Sequence, residues 1–450
     1  MEEVVFSLNL PLLFALVGGV FFIYYMLLRK YIFFWFDPLL IYLIYNSFSI
    51  AFVLFLYFGD QRIKPFYLVT FLLSTVGLLL GLIVGSKRGL KKLNQTNFIN
   101  ENIYNHYDLV FDFFLMISII ITIGSNLLML ISVGTLPILS ADPSVAKVVL
   151  YTGGWGLVRR IDLVSVNFIF SIALLKIFHP VNKISTYKKL FYWLSIAIGI
   201  LILFTMGSKS SLVGILNSFF GVAIINLFFG NNIFKHLKSD RNIKLIKTFG
   251  KYFLIAGFAY MFLVIAKSGV ETSAGNTFIT RLVGSGDTFY FFYAYDLYDN
   301  FKLGPTDFIM HIINPILGFL RIAPYEYPLG AYMLNYAFGT PLDSFGPNAQ
   351  HHIEGLLYFG KVGAFFYSFF LGAIIGTVRL SFLKKVLTKP NFLQLTLYIT
   401  IGSIIVNAAT EIDFFLLLFY DIIMFGSILF VSSLALANYM QKSKKVYYES

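Results

Sequence analysis

The chain has no cysteine among its 450 residues, which excludes disulfides, thiolate metal sites and cysteine nucleophiles. It is also poor in charge: 12% of its residues are charged, whereas a soluble domain carries about 25%. Several motifs are missing as well: the GKS/T phosphate loop, GxGxxG after a strand, HExxH and GxSxG. The sequence therefore gives no support to ATP hydrolysis, dinucleotide chemistry, zinc proteolysis or a nucleophile-elbow hydrolase.

Apolar residues dominate what remains. Hydrophobic side chains make up 58% of the chain, including 52 phenylalanines, and the mean hydropathy is +0.79. A helix needs about 20 apolar residues to cross the hydrocarbon core, and about eleven stretches meet this condition. The sequence predicts an all-α polytopic integral membrane protein with about 11 transmembrane helices (10–12). The predicted spans are 7–28, 37–58, 66–86, 108–132, 163–180, 190–207, 211–230, 249–267, 355–378, 391–410 and 412–437.

The loops between these spans alternate in charge, and one set holds most of the 34 basic residues. The positive-inside rule makes that set cytoplasmic, with the N-terminus outside and the C-terminus inside. Most of the net charge of +12 thus lies in short loops between spans, so no nucleic-acid partner is expected. Two outer loops follow, a medium one at 133–162 and a long one at 268–354. Within the long loop, 286–300 and 308–320 are predicted to be short helical or interfacial segments.

Cations are disfavoured on the outer side of a membrane, so those that remain there are candidates for an anionic ligand. A diphosphate suits arginine well, because guanidinium forks match phosphate oxygens. Snorkelling or headgroup-paired side chains are the alternative interpretation. In GSKSS, a tight hairpin at 207–211, serine hydroxyls and a helix N-terminus can also hold phosphate oxygens, or simply cap the next span. The candidate diphosphate ligands are Arg159, Arg160, Lys209, Arg281 and Arg321.

A polar run precedes the ninth predicted span. In GPNAQHHIEG, His351, His352 and Glu354 crowd the entrance of the helix. A histidine with a pKa near 6.5 can act as a base close to neutral pH, and Glu354 could take that role or orient a histidine. Helix capping is the alternative. No metal site is predicted here, because neighbouring residues on a helix are expected to face different ways.

Acidic groups inside the spans are few. Asp421 falls near the middle of the last predicted span, and an intramembrane acid is a functional candidate by default. No lysine or arginine is predicted at the same depth, which gives little support to a proton relay. Asp421 is expected to pair with an asparagine or tyrosine on a neighbouring span.

With these patches in view, the chain resembles bacterial O-antigen polymerases of the Wzy type, which join oligosaccharide repeat units. The architecture is similar over nearly the whole length. Specific likeness is confined to GSKSSLVGIL (207–216), TRLVGSGDTFYF (280–291) and GPNAQHHIEGLLYFGKVG (346–363). An arginine followed ten residues later by glycine, found in some members, is absent after Arg160, Arg281 and Arg321. O-antigen ligases are similar in shape and also have a histidine in the large outer loop, so they remain an alternative.

The resemblance implies glycosyl transfer at the periplasmic face of the bacterial inner membrane. The donor is a glycan on undecaprenyl diphosphate, and the acceptor is a sugar hydroxyl of the next lipid-linked unit. His351, His352 or Glu354 would accept the proton, the five cations would neutralise the diphosphate, and Asp287, Tyr290 and Tyr293 would contact sugars. No cofactor is needed. Membrane lipids, a chain-length regulator and a flippase are the implied partners, and a lipid-linked oligosaccharide flippase or transporter is the alternative from another class.

Overall fold

The computed structural model describes residues 10–94, 108–134, 136–140, 156–178, 184–205, 211–232, 244–253, 255–257, 259, 287–324, 326–340, 342, 346–388, 391–402 and 404–449. Of this part of the chain 87% is helical, and it contains no strand. The main helices are α1 (Leu10–Leu28), α2 (Pro38–Phe58), α3 (Pro65–Asn94), α4 (Asp108–Val133), α5 (Gly156–Phe178), α6 (Thr186–Thr205), α7 (Ser211–Asn232), α8 (Pro305–Phe319), α9 (Leu329–Phe338), α10 (His351–Thr388), α11 (Phe392–Leu397) and α12 (Ile412–Glu449).

Nine helices in the described residues are long and apolar enough to cross a membrane. They are α1 to α6, α10, the stretch Phe392–Ala409 that begins with α11, and α12. The all-helical class and the multi-pass membrane character are therefore confirmed. The count of eleven stays a prediction: the apolar part of α7 is the shorter Gly214–Phe228, and the predicted span 249–267 runs out of the described residues.

The chain divides into two compact units. Unit 1 comprises Met1–Lys91, Phe278–Leu380 and Ile405–Leu417. Unit 2 comprises Lys92–Thr277, Ser381–Ile404 and Leu418–Ser450.

Glycines on one face of α3 bring it into close contact with α10 in unit 1. A Cβ built on Gly81 would lie 2.0 Å from the carbonyl oxygen of Phe369, and one on Gly85 would lie 2.3 Å from that of Ala373. On the facing helix, a Cβ on Gly372 would lie 2.4 Å from the carbonyl oxygen of Leu78. Small residues four apart let two backbones approach, and van der Waals packing holds membrane helices together in this way.

Helix α10 is a hairpin. Gly360 has φ +70° and ψ −172°, which interrupts the helix. The hydroxyl of Tyr367 donates to Glu354 across 13 residues at 2.7 Å, a separation that would be about 20 Å along a straight helix at ~1.5 Å per residue. The arm 351–359 therefore folds back on the arm that begins at Lys361. The predicted span 355–378 lies within His351–Thr388, and the glycine turn that separates a short arm from the long one was not predicted.

Helix α5 is the centre of unit 2, where it packs against α4, α6 and α7. It carries Arg159, Arg160 and Asp162 in its first two turns and Lys176 in its last. The Lys176 ammonium lies 3.3 Å from the carboxylate of Asp112 on α4. Each of these charges is matched by an opposite charge on the same or a neighbouring helix, as expected inside a membrane protein.

Candidate functional site

The short arm of the α10 hairpin carries the polar run that the sequence singled out. His351, His352 and Glu354 are all buried in unit 1, at 0–1% exposure. This short arm is held by hydrogen bonds to three elements. Nε2 of His352 lies 3.0 Å from Oγ1 of Thr75 on α3, Nδ1 of His351 lies 2.9 Å from Oγ of Ser368 on the long arm, and the Gln350 amide donates to Ser49 on α2 at 3.2 Å.

The two adjacent histidines lie against each other, with ring centroids 3.8 Å apart. The expectation that they face different ways is therefore wrong, because the first residues of the arm are turned together into the core. Phe71 stacks on His352 at 4.3 Å. Nε2 of His351 and Nδ1 of His352 are buried with no hydrogen-bond partner among the described residues. In that part of the chain, no group of three or more His, Asp and Glu side chains has the arrangement of a metal site.

Glu354 joins the short arm to the start of α12. Its Oε2 accepts from the Tyr367 hydroxyl at 2.7 Å, and its Oε1 accepts from the backbone N–H of Ile412 at 3.5 Å. Ile412 lies between Glu411 and Asp413, so three carboxyl groups share this corner of unit 1. Glu354 thus fixes the backbone that presents Asp413.

A cleft of about 360 Å³ opens beside this corner. Its aromatic lining comes from four tyrosines and one phenylalanine, and its other ionisable lining residues are Asp307, Glu326, Lys302 and His311. Burial, followed by the negative charge of Glu326, raises the pKa of Tyr332. The side chains of the cleft used below are Phe301, Lys302, Asp307, Met310, His311, Glu326, Tyr327, Tyr332, Tyr336 and Tyr358.

His311 reaches the cleft from α8 and forms a pair with Asp413. Nε2 of His311 contacts Oδ1 of Asp413, and the histidine ring lies 5.4 Å from that of Tyr358. With Nε2 directed to the carboxylate, Nδ1 is the ring nitrogen left to accept a proton. A histidine beside a carboxylate is an arrangement that can support general-base chemistry.

Glu411 is the third carboxyl group of the corner, in the turn before α12. Burial raises its pKa to about 7, and the neighbouring negative charge of Asp413 adds to the shift. This group changes its protonation state close to neutral pH.

The predicted diphosphate ligands divide into three groups. Arg159 forms a 2.5 Å ion pair with Asp162, and Arg160 forms a 2.5 Å ion pair with Asp421. Asp421 therefore pairs with an arginine, and the expected asparagine or tyrosine partner is wrong. Arg321 is exposed directly after α8, with φ +56°, and no salt bridge of the described residues includes it. Lys209 and Arg281 lie outside the described residues.

The predicted sugar contacts lie in the helical segment 287–300. Tyr293 is 1% exposed, and its ring is stacked with those of Tyr67 at 4.8 Å and Phe289 at 5.4 Å. Tyr290 is buried, and its hydroxyl accepts from Arg62 at 3.2 Å. Asp287 begins the segment. These tyrosines pack the core of unit 1, so the tyrosines of the cleft are better placed to stack on a sugar.

The residues that line the cleft were not predicted from the sequence. His311 stands in an apolar run, FIMHIINPILGFL, which was interpreted only as an interfacial helix. Its lone imidazole among isoleucines was the available signal. The pairing with Asp413 could not be read from the chain, because the two residues are far apart in sequence.

Comparisons with known proteins add no relative: no family model, curated protein or solved structure matches this chain.

Proposed function

We propose that this protein polymerises oligosaccharide repeat units carried on undecaprenyl diphosphate, at the outer face of the bacterial inner membrane. The observation that carries the proposal is the cleft of unit 1. It combines tyrosines and carboxylates, mostly from the segment predicted to be the large outer loop, with a histidine of that segment that pairs with Asp413 at the start of α12. The resemblance of the three sequence patches to Wzy-type polymerases supports the same reaction. The nine apolar helices found in the described part of the chain are suited to a substrate with a polyprenyl tail.

The reaction transfers a glycan from one lipid carrier to the next repeat unit. The acceptor hydroxyl attacks the anomeric carbon of the donor, and a new C–O bond forms. The bond between that carbon and the diphosphate oxygen breaks, and undecaprenyl diphosphate leaves with the electron pair. The hydroxyl proton must pass to a base. No ATP is consumed, since the donor's phosphate ester supplies the driving force.

Nδ1 of His311 is the proposed acceptor of that proton. Asp413 holds the opposite ring nitrogen and stabilises the imidazolium that forms, as the carboxylate does in a catalytic triad. Glu354 would not contact the substrate but would position Asp413, because it accepts a hydrogen bond from the neighbouring Ile412 N–H. The earlier candidates His351 and His352 lie on the same buried arm and become positioning residues in this mechanism.

Sugar and diphosphate would occupy different parts of the site. The exposed tyrosines Tyr327 and Tyr336 offer ring faces on which sugars can stack, while Asp307 and Glu326 can accept hydrogen bonds from hydroxyls. Of the predicted cations, Arg321 has a free guanidinium within the described residues for a phosphate group. Arg281 and Lys209 remain predicted diphosphate ligands from their sequence positions.

The test is a gel of surface polysaccharide from a deletion strain of the source organism, with and without the gene restored. A ladder reduced to core plus a single repeat supports polymerisation, since export and attachment of one unit still work. Loss of every repeat-bearing band contradicts it. Accumulation of lipid-linked polymer would then indicate a ligase, and absence of polymer would indicate a flippase.

A further inference from the structure

Helix α8 has its polar and apolar faces reversed relative to a helix of a soluble protein. Its apolar residues Ile309 and Ile313 are 57% and 38% exposed, whereas His311 and Asn314 are 7% and 4% exposed. The exposed apolar positions 309, 313, 316 and 320 follow the i, i+4, i+7, i+11 pattern, which forms one stripe along a helix. We define these four residues as the apolar stripe: Ile309, Ile313, Ile316 and Leu320.

The buried polar face of α8 is accounted for by contacts within unit 1. His311 pairs with Asp413. The Asn314 amide donates to the carbonyl of Pro324 at 3.0 Å, and its oxygen accepts from the Glu326 N–H at 3.0 Å. The segment that contains Pro324 and Glu326 therefore packs along the polar face of α8, and the apolar stripe stays exposed on the opposite face.

Exposure of these apolar side chains to water is unfavourable, whereas contact with lipid acyl chains is favourable. The helix has 15 residues, so it is about 22 Å long at ~1.5 Å per residue and too short to cross a ~30 Å hydrocarbon core. An amphipathic helix of this kind lies in the plane of the membrane interface with its apolar face against the acyl chains. Arg321, exposed just past the stripe, would meet lipid phosphates.

We infer that α8 lies in one leaflet with the apolar stripe against the lipid chains, so that the cleft opens at the membrane surface. Met310 and His311, on the same helix, line the cleft, which fixes the cleft beside the lipid. A lipid-linked head group could then enter from the bilayer without passing through bulk water. This placement holds whichever reaction the cleft supports.

The absence of cysteine makes site-directed spin labelling direct. The variants Ile309→Cys, Ile313→Cys and Ile316→Cys would each be labelled in lipid nanodiscs, with Lys302→Cys as the exposed matched control at the cleft. Collision with oxygen, which concentrates in acyl chains, would be compared with collision with a water-soluble nickel chelate. Higher oxygen than nickel accessibility at the three stripe positions, and the reverse at Lys302, is expected.

Two outcomes would overturn the inference. Stripe labels as accessible to nickel as the Lys302 label would mean that α8 lies in water. Labels shielded from both reagents would mean that protein, such as a second copy, covers the stripe. The unmodified protein gives an independent measurement with a phospholipid that carries a photoreactive acyl chain. Adducts should map to residues 308–320 in preference to 299–307, and the opposite distribution would equally reject the lipid placement.

Discussion

Helix α5 of unit 2 and the cleft of unit 1 differ in how their charged groups are paired. In unit 2 the arginines of α5 are matched one to one, Arg159 with Asp162 and Arg160 with Asp421. In unit 1 the cleft has two exposed carboxylates, Asp307 and Glu326, that take part in no salt bridge of the described residues, and it has a histidine whose second nitrogen is open. A matched charge in a membrane helix stabilises the fold, whereas unmatched groups at a cleft can serve a ligand. The outward cations of the sequence were therefore not equivalent.

The largest effect is expected at His311. In His311→Gln the imidazole is lost, and removal of a general base lowers rates by about 10²–10⁴-fold. Chain extension by the reconstituted protein from a lipid-linked repeat unit should fall accordingly, while the protein accumulates normally. His236→Gln, in the predicted cytoplasmic loop, is the matched control. Full activity of His311→Gln would remove this residue from the mechanism.

A break of the α5 pair should affect stability instead of chemistry. Arg160→Leu leaves Asp421 buried and uncompensated, and loss of one partner of a buried pair costs about 3–5 kcal/mol. Thermal unfolding in detergent should occur at a lower temperature, with less protein in the membrane. The double variant with Arg160→Leu and Asp421→Leu should regain much of that loss, because no orphan charge remains. A stable but inactive single variant would instead support the diphosphate role first predicted for Arg160.

Arg321 should behave in the opposite way to Arg160. Its guanidinium is exposed, so Arg321→Ala should leave thermal stability unchanged. A lost charge-assisted hydrogen bond of about 1.5–3 kcal/mol corresponds to tenfold or more in the apparent affinity for the lipid-linked donor. Steady-state kinetics at varied donor concentration measures this, and Arg321→Lys is the control that keeps the charge. An unchanged donor dependence would show that Arg321 does not contact the diphosphate.

The two exposed carboxylates of the cleft, Asp307 and Glu326, should lower its affinity for negatively charged glycans. A soluble oligosaccharide with a uronic acid should bind about threefold to tenfold more weakly than its neutral counterpart, since two like charges about 4 Å apart in water repel by about 1 kcal/mol. Calorimetric titration of the two glycans tests this. In Glu326→Gln the difference between the affinities for the two glycans should be smaller. Equal affinities in the unmodified protein would mean that the acidic lining does not face the sugar.

A further prediction concerns the dependence of stability on pH through Glu411. Because its pKa rises from 4.5 to about 7 on folding, the folded protein binds more protons than the unfolded chain between these values. Stability should therefore fall as pH rises from about 4.5 to 7 and level off above that. Glu411→Gln should lack this contribution, so its melting temperature relative to the unmodified protein should increase between pH 5 and 7.5. A constant difference across that range would contradict the shifted pKa.

The spans were largely predictable because a run of apolar residues reports directly on burial in lipid. The predicted 37–58 and 108–132 correspond to Pro38–Phe58 and Leu109–Ser132. The turn at Gly360 was not predictable, since hydropathy continues across it and only the backbone conformation separates the two arms. His351, His352 and Glu354 do stand in the first turn of a helix, as predicted, but the turn at Gly360 folds this part of the helix into the interior of unit 1.

The site was predictable only where its groups are neighbours in sequence. His351 and Glu354 were found because they stand within one turn, although the contacts with Thr75, Tyr367 and Ile412 that define their role depend on tertiary structure. The pair of His311 and Asp413 joins α8 to α12, and no local pattern contains it. Asp421 was recognised as an intramembrane acid, but its partner Arg160 had been placed in a loop.

The hairpin at Gly360 also has a consequence for protein synthesis, because the residues that hold its short arm are made at different times. The short arm leaves the ribosome after Ser49 and Thr75, which hold it from one side, and before Tyr367 and Asp413 on the other. A nascent chain that has not reached α12 lacks the carboxylate that orients His311. The pair of His311 and Asp413 is therefore completed only when synthesis has reached the first turn of α12, the last helix.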